Sequence, residues 1–380
     1  MGVCNENVFC HFLWVKTKIT SQFPFVDILP LLTTVWASCL LFVSSPLRGQ
    51  EIHPYTGMVV FGDSLSDVGN LNSVLSSVSE KTAQYLTGWD PNYYYNYRFS
   101  NGPVWADYLY TALGFGNIGE MVANDGVNNM AGTNFAWAGS RSGTGTYGFI
   151  FPNLLTQVDN YSDQIADGNP YLPVPATTLY AIWSGANDVF AYLESGDSIT
   201  PEQVADNIST AISTLYGEGG RYFLVLNLPP IGQIPSYVND PLKADMGNAF
   251  VSIYNDLLES ELDALASTLE DITIFRLDVH DLYLEIMADY HEYGFTNVTE
   301  TAYVRFGEIP YEPREPPYGK LMPDSEGFFF WDSAHGTTAL NALIMQAAYP
   351  IVAVPEPAVV ALLFGGTVML ALVMRRRRMS

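Results

Sequence analysis

Short, nearly continuous apolar runs separated by amphipathic stretches recur along residues 51–353, and this alternation limits the fold more than any other feature of the chain. The runs are 58–62 (MVVFG), 133–137 (TNFAW), 178–183 (TLYAIW), 222–228 (YFLVLNL) and 272–277 (ITIFRL). Each is too short for a helix and lacks the in–out alternation of a half-exposed strand, so each reads as a strand buried on both faces. The intervening stretches carry helical spacing. Over 201–216, Thr200 supplies a cap, Pro201 a first-turn position and Glu202 an early acid, while Ala211, Ile212 and Leu215 form the apolar face. Gly217 and Gly219–Gly220 end it. Further helices are expected over 241–270 and from His335 to about 349. Strands and helices in alternation, with no internal repeat, predict a three-layer α/β/α domain around a central parallel sheet. Right-handed crossovers then bring every strand C-terminus to one edge, where ligands bind in such sheets.

Charge narrows the range of partners. The chain has 380 residues and a formal net charge of −24, with nine basic residues against thirty-seven acidic ones in 51–353. A surface of that sign does not neutralise phosphates, which excludes nucleic acid as a partner. All three cysteines (Cys4, Cys10, Cys39) precede residue 51, so the body can hold no cysteine nucleophile, zinc ribbon or disulfide. An EF-hand spacing is also missing from the acidic excess, which reads as a solvated face. No metal or organic cofactor is expected.

Both ends read as addresses. Residues 28–45 are apolar, follow Lys16 and Lys18, and fit an export leader over 1–50, with an uncleaved anchor as the alternative. At the other end Val354-Pro355-Glu356-Pro357 precedes seventeen apolar residues, 358–374, and then Arg375 to Arg378. That run is at the short limit for spanning a bilayer, and the arginines hold the tail on the cytoplasmic side.

The chemistry collects at the ends of the strands. The first run leads into Gly62-Asp63-Ser64-Leu65-Ser66-Asp67-Val68-Gly69-Asn70, a glycine-bounded turn that holds a serine hydroxyl outward, where it can attack a substrate. The fifth position of this turn is Ser66, so it is not a G-x-S-x-G elbow. The second run leads into Ala138-Gly139-Ser140, where glycine lets a backbone N–H approach a ligand. The third leads into Ser184-Gly185-Ala186-Asn187-Asp188, and the Asn187 amide can donate to a developing oxyanion. Near the end, Trp331-Asp332-Ser333-Ala334-His335 supplies a base and an orienting acid from one loop. The other body histidines, His53, His280 and His291, have no such company and read as structural or surface residues. Gly143 to Gly148 satisfies G-x-G-x-x-G without a strand leading into it, and Tyr93-Tyr94-Tyr95 reads as aromatic loop packing.

In order and spacing, these four segments resemble the conserved blocks of the GDSL or SGNH hydrolases. The resemblance extends through 98–105 (RFSNGPVW) and 227–232 (NLPPIG) and covers 58–349. It implies a flavodoxin-like fold and a serine esterase or lipase. Ser64 would be the nucleophile, Asp332 and His335 its acid and base, and Ser64, Gly139 and Asn187 the oxyanion hole. Two positions depart from the family pattern: Ala138 replaces the first of two glycines, and Gly336 replaces the proline after the histidine, which is expected to loosen that loop. The tail over 354–380 resembles the PEP-CTERM sorting signal. That resemblance implies an exosortase-type processing protease as a partner, a membrane helix before processing, and a bacterial envelope or secreted destination. An ester substrate is the expected ligand; the alternatives are an acyltransferase with the same nucleophile and a non-catalytic glycan-binding surface protein on the same fold.

Overall fold

The computed structural model describes residues 53–71, 90–126, 129–147, 151–304 and 319–353. The chain divides into two units, Met1–Gln50 and Glu51–Ser380, and every described residue belongs to the second. The leader over 1–50 and the tail over 354–380 lie outside the described residues, as does Gly148. Among the described residues, no helix is long and apolar enough to cross a membrane.

Four parallel strands form the central sheet: β1 (Gly57–Gly62), β2 (Thr178–Trp183), β3 (Tyr222–Leu226) and β4 (Thr273–Leu277), in that spatial order. Gly57 pairs with Thr178 and Gly62 with Trp183, so β1 and β2 end level. All six residues of β2 are buried, which requires cover on both faces of the sheet. The helices form two packed sets. In one, α1 (Trp105–Ala112) lies against α7 (Thr338–Val352). In the other, α4 (Pro201–Gly217) lies against α2 (Leu154–Ala166) and α5 (Pro241–Thr268), and α5 also contacts α3 (Ala186–Ser195). The remaining long helix is α6 (Val279–Ala288). Thr200 caps α4 through the Gln203 N–H, and Gln203 returns a bond to the Thr200 N–H, a reciprocal pair that fixes this helix start.

Two expectations need correction. The run 133–137 is not a regular strand: it follows the outer edge of β1 through one bridge, Val60 with Asn134, and through Val60 N–H to Thr133 O, Phe135 N–H to Val60 O and Trp137 N–H to Gly62 O. On its far side it makes one more isolated bridge, Asn134 with Ala123, through Asn134 N–H to Val122 O and Asn124 N–H to Asn134 O, and the Asn70 side chain also donates to the Asn134 carbonyl. The last helix begins at Thr338, not at His335, because Gly336 is drawn into a bridge with Phe330 and Asn101 Oδ1 takes the Thr338 N–H.

With 133–137 counted as the second strand in chain order, the sheet reads 2-1-3-4-5, the flavodoxin-like order. The chain leaves β1 toward one side and later returns to the other as β2. A crevice therefore opens beyond the C-terminal ends of β1 and β2. A small parallel pair, β5 (Asn297–Thr301) with β6 (Phe328–Phe330), carries the chain back to the same edge.

Candidate active site

Ser64 stands two residues beyond the end of β1, and its placement starts with Gly62. Gly62 has φ +149°, and a Cβ there would lie 2.2 Å from the Trp183 carbonyl oxygen, so only glycine fits. Gln157, buried on α2, accepts the Gly62 N–H at 3.0 Å and donates Nε2 to the Gly62 carbonyl at 2.8 Å. The turn then closes as the Asp63 carbonyl takes the N–H groups of Ser66 and Asp67. Asp67 accepts from Gly69 N–H and Asn70 N–H through Oδ1 and from Ala138 N–H, at 3.0 Å, through Oδ2. One carboxylate thus ties the serine turn to the glycine segment of the next block.

His335 reaches Ser64 from the far end of the chain. Its Nε2 lies 2.7 Å from Ser64 Oγ, and its Nδ1 lies 2.8 and 2.9 Å from the two oxygens of Asp332. Asp332 Oδ1 also accepts the backbone N–H groups of Ala334 and His335, and Oδ2 accepts the Tyr94 hydroxyl at 2.6 Å. A carboxylate only accepts, so the imidazole proton sits on Nδ1 and the Nε2 lone pair faces the serine hydroxyl. Asp332 is fully buried, while Ser64 and His335 are 9% and 8% exposed, enough to meet a ligand at the crevice floor. The bonding does not show the loosening expected from Gly336. The loop is closed by its bridge to Phe330, by Trp331 N–H on the His335 carbonyl and by Ser100 Oγ on the Gly336 carbonyl, and the Phe99 ring lies 4.7 Å from the imidazole.

Gly139 has φ +79°, which turns the chain at the crevice wall. No partner for the Ser64 or Gly139 backbone N–H appears among the described residues. Asn187, in the first turn of α3, donates Nδ2 to the Ser140 carbonyl at 2.9 Å and so is locked to the segment that carries Gly139. The amide keeps a second N–H for a ligand. Its neighbour Asp188 turns inward, accepting the Ser142 N–H and hydroxyl, and Asn207 donates to the same hydroxyl.

Two hollows share Asn187 and Phe190. A niche of about 20 Å³ contains Asp63, Ser64, His335, Pro229, Ile231 and Ile234. A cleft of about 350 Å³ lies past Gly139 and is walled by Leu71, Phe99, Ala138, Phe151 and Ala191, with Arg141 and Glu194 also lining it. Three carboxylic acids behind these walls are perturbed. Burial pushes Asp63 up to about 7, against the Leu65 N–H that holds it down. Burial also lifts Asp67 to about 6 and Asp188 to about 6, each opposed by the backbone N–H groups it accepts.

The structure gathers Ser64, Gly139, Asn187, Asp332 and His335 at one crevice. The other histidines among the described residues lie elsewhere: His53 bonds the Leu113 carbonyl, His291 the Phe295 carbonyl, and His280 lies beside Asp281. The Asp278–His280–Asp281 cluster is a helix start in which Asp278 caps the Asp281 N–H. Sequence reasoning missed Gln157, Asp67, Asp188 and Tyr94. Asp67 sat in the quoted serine segment and Asp188 beside Asn187, whereas nothing local marked Gln157.

A family model described as GDSL-like lipase/acylhydrolase matches residues 58–348. A GDSL esterase/lipase of Arabidopsis thaliana is 28% identical over 334 residues, covering 78% of this chain and 85% of that protein. The phosphatidylcholine-sterol acyltransferase of Aeromonas hydrophila is 27% identical over 353 residues, covering 82% and 95%. Among solved structures, a member of the lipolytic G-D-S-L family from Veillonella parvula matches with a TM-score of 0.37 at 13% identity, covering 78% of this chain and 97% of that one.

Proposed function

The chain belongs to the GDSL-like lipase/acylhydrolase family and is an ester-bond hydrolase, and from that premise we propose that Ser64 is its nucleophile, with His335 as base and Asp332 as the orienting acid. The observation that carries the assignment is the continuous line from Ser64 Oγ through the imidazole to the Asp332 carboxylate. Ser64 Oγ attacks the ester carbonyl carbon as its proton passes to His335 Nε2, and the carbonyl electron pair moves onto oxygen. The Ser64 and Gly139 N–H groups and the free N–H of Asn187 receive that oxyanion. Collapse breaks the bond to the alcohol oxygen, which takes the proton from His335. Water then repeats the sequence on the acyl-enzyme and restores Ser64. Ser64→Ala should abolish hydrolysis of a chromogenic ester while leaving the circular dichroism unchanged; a folded, pure variant that keeps turnover would overturn the assignment.

Geometry also supports a substrate orientation. The leaving oxygen must lie within reach of His335, which lines the niche and not the cleft. The acyl group then points past Gly139 into the 350 Å³ cleft, whose rings and aliphatic side chains suit a hydrocarbon chain longer than acetyl. Of the three substrate classes open at the outset, acyl lipid is favoured over O-acetylated glycan and small esters. A chain-length series of p-nitrophenyl esters should give higher kcat/KM for octanoate than for acetate; the reverse order would reject this orientation. Transfer to an alcohol in place of water is the second reading, favoured by the likeness to the Aeromonas hydrophila acyltransferase, and acyl transfer to an added sterol or glycerol tests it.

The two ends suit an exported enzyme. The leader over 1–50 and the Pro-Glu-Pro, apolar and arginine segments over 354–380 support passage to the envelope with transient anchoring, followed by exosortase-type cleavage near Pro357. Intact-mass analysis of protein from the native host should find a C-terminus near that point; one ending in Met379-Ser380 would mean a plain anchor.

A further inference from the structure

The aromatic loop before α1 does more than pack. We infer that Tyr94 is a positioning residue that acts on the reaction through Asp332. The Asp332 carboxylate has no exposure to water and must stay charged to hold an imidazolium, so it needs donors on both of its oxygens. Its own loop supplies two backbone N–H groups to Oδ1, from Ala334 and His335, while the His335 Nδ1–H lies between the two oxygens at 2.8 and 2.9 Å. Oδ2 also takes the Tyr94 hydroxyl at 2.6 Å, a donor from 238 residues away in the chain. A hydroxyl bonded to a carboxylate at that distance is a strong, charge-assisted bond, and it stops the carboxylate from rotating about its Cβ–Cγ bond.

The hydroxyl is itself held in place. Tyr94 is buried, with its ring edge-on to Phe99, Tyr303 and Trp331 at centroid distances of 5.6, 5.5 and 6.2 Å, and its backbone N–H bonds the Asp90 carbonyl. The ring cannot swing without breaking this cage, so the phenol oxygen reaches Asp332 in one place only. Phe99, a wall of the cage, also lies against the imidazole, which links the loop to both members of the acid–base pair. Tyr93, next in sequence, makes no such bond and stacks on Tyr303 at 4.6 Å.

This inference rests on the Ser64 mechanism and is tested separately from it. Tyr94→Phe keeps the ring and removes only the hydroxyl. It should lower kcat on p-nitrophenyl butanoate by roughly 10–100-fold with KM held within about twofold, as loss of a hydrogen bond to a charged group implies. Tyr93→Phe should leave both unchanged. In an Asp332→Asn background the Tyr94→Phe loss should vanish, because residues acting through one another are not additive. The downfield proton resonance of His335 Nδ1–H should move or broaden in Tyr94→Phe and stay in Tyr93→Phe, a readout that needs no turnover. An equal loss of kcat in both backgrounds, or an unmoved resonance, would overturn the inference. Failure of the Ser64 mechanism would show instead as a wild-type protein without ester hydrolysis, and the resonance would still decide the role of Tyr94.

Discussion

Asn187 divides its amide between two duties, and a single substitution should reveal both. Asn187→Ala removes one proposed oxyanion donor, so kcat should fall by roughly 10²–10³ with a smaller change in KM. It also leaves the Ser140 carbonyl without its partner, and Ser140 is buried. Stability should therefore drop by about 1–3 kcal/mol in urea titration. A variant hurt mainly in KM would make Asn187 a ground-state contact instead. Residues such as Asn187 are legible in a sequence because the strand end that presents them lies a few positions upstream. Tyr94 and Gln157 are not, since their partners Asp332 and Gly62 are 238 and 95 residues away and no local pattern announces the pairing. Tyr94 looked like packing because its ring does pack; only its oxygen has the second role.

Among the elements, those read most accurately are those whose residue types agree with their surroundings. The run 178–183 coincides with β2, since a strand covered on both faces is apolar throughout. Helix α2 escaped notice because two of its inward positions are Gln157 and Gln164, which interrupt the apolar stripe and are buried. Those two amides serve backbone and side-chain partners instead, Gly62 in one case and Asn124 in the other. Gln157→Leu, close in volume, should take the side-chain partner from the Gly62 N–H at the very end of β1 and leave the Gly62 carbonyl with the Trp137 N–H alone. The cost should be about 1–3 kcal/mol, read as a lower urea midpoint at unchanged slope. Esterase activity should fall as well, because Gly62 sets where Ser64 emerges. A variant as stable and active as the wild type would mean that the strand end is held by the turn alone.

For the whole molecule, the buried acids set how stability responds to pH. Asp63 near 7, and Asp67 and Asp188 near 6, all lie above the roughly 3.9 of an unfolded aspartate, so the folded state binds extra protons across that interval. Their contribution is fully present below about pH 4 and is lost as the pH rises through 6 and 7. The unfolding free energy should fall from pH 5 to pH 8 by on the order of a few kcal/mol, read as a lower melting temperature. Repulsion across the acidic surface acts in the same direction but is screened by salt, whereas the buried term is not. Asp63→Asn should flatten the profile at high salt; an unchanged slope would place the protons elsewhere. The span between Ser64 and His335 matters for the life of the protein as well. These two side chains are 271 residues apart in the chain, and His335 lies just ahead of α7. A nascent chain therefore carries the Ser64 hydroxyl long before it has the imidazole proposed as its base. On the mechanism proposed above, the protein is born disarmed and acquires its chemistry only once the segment carrying His335 has left the ribosome and folded back onto β1.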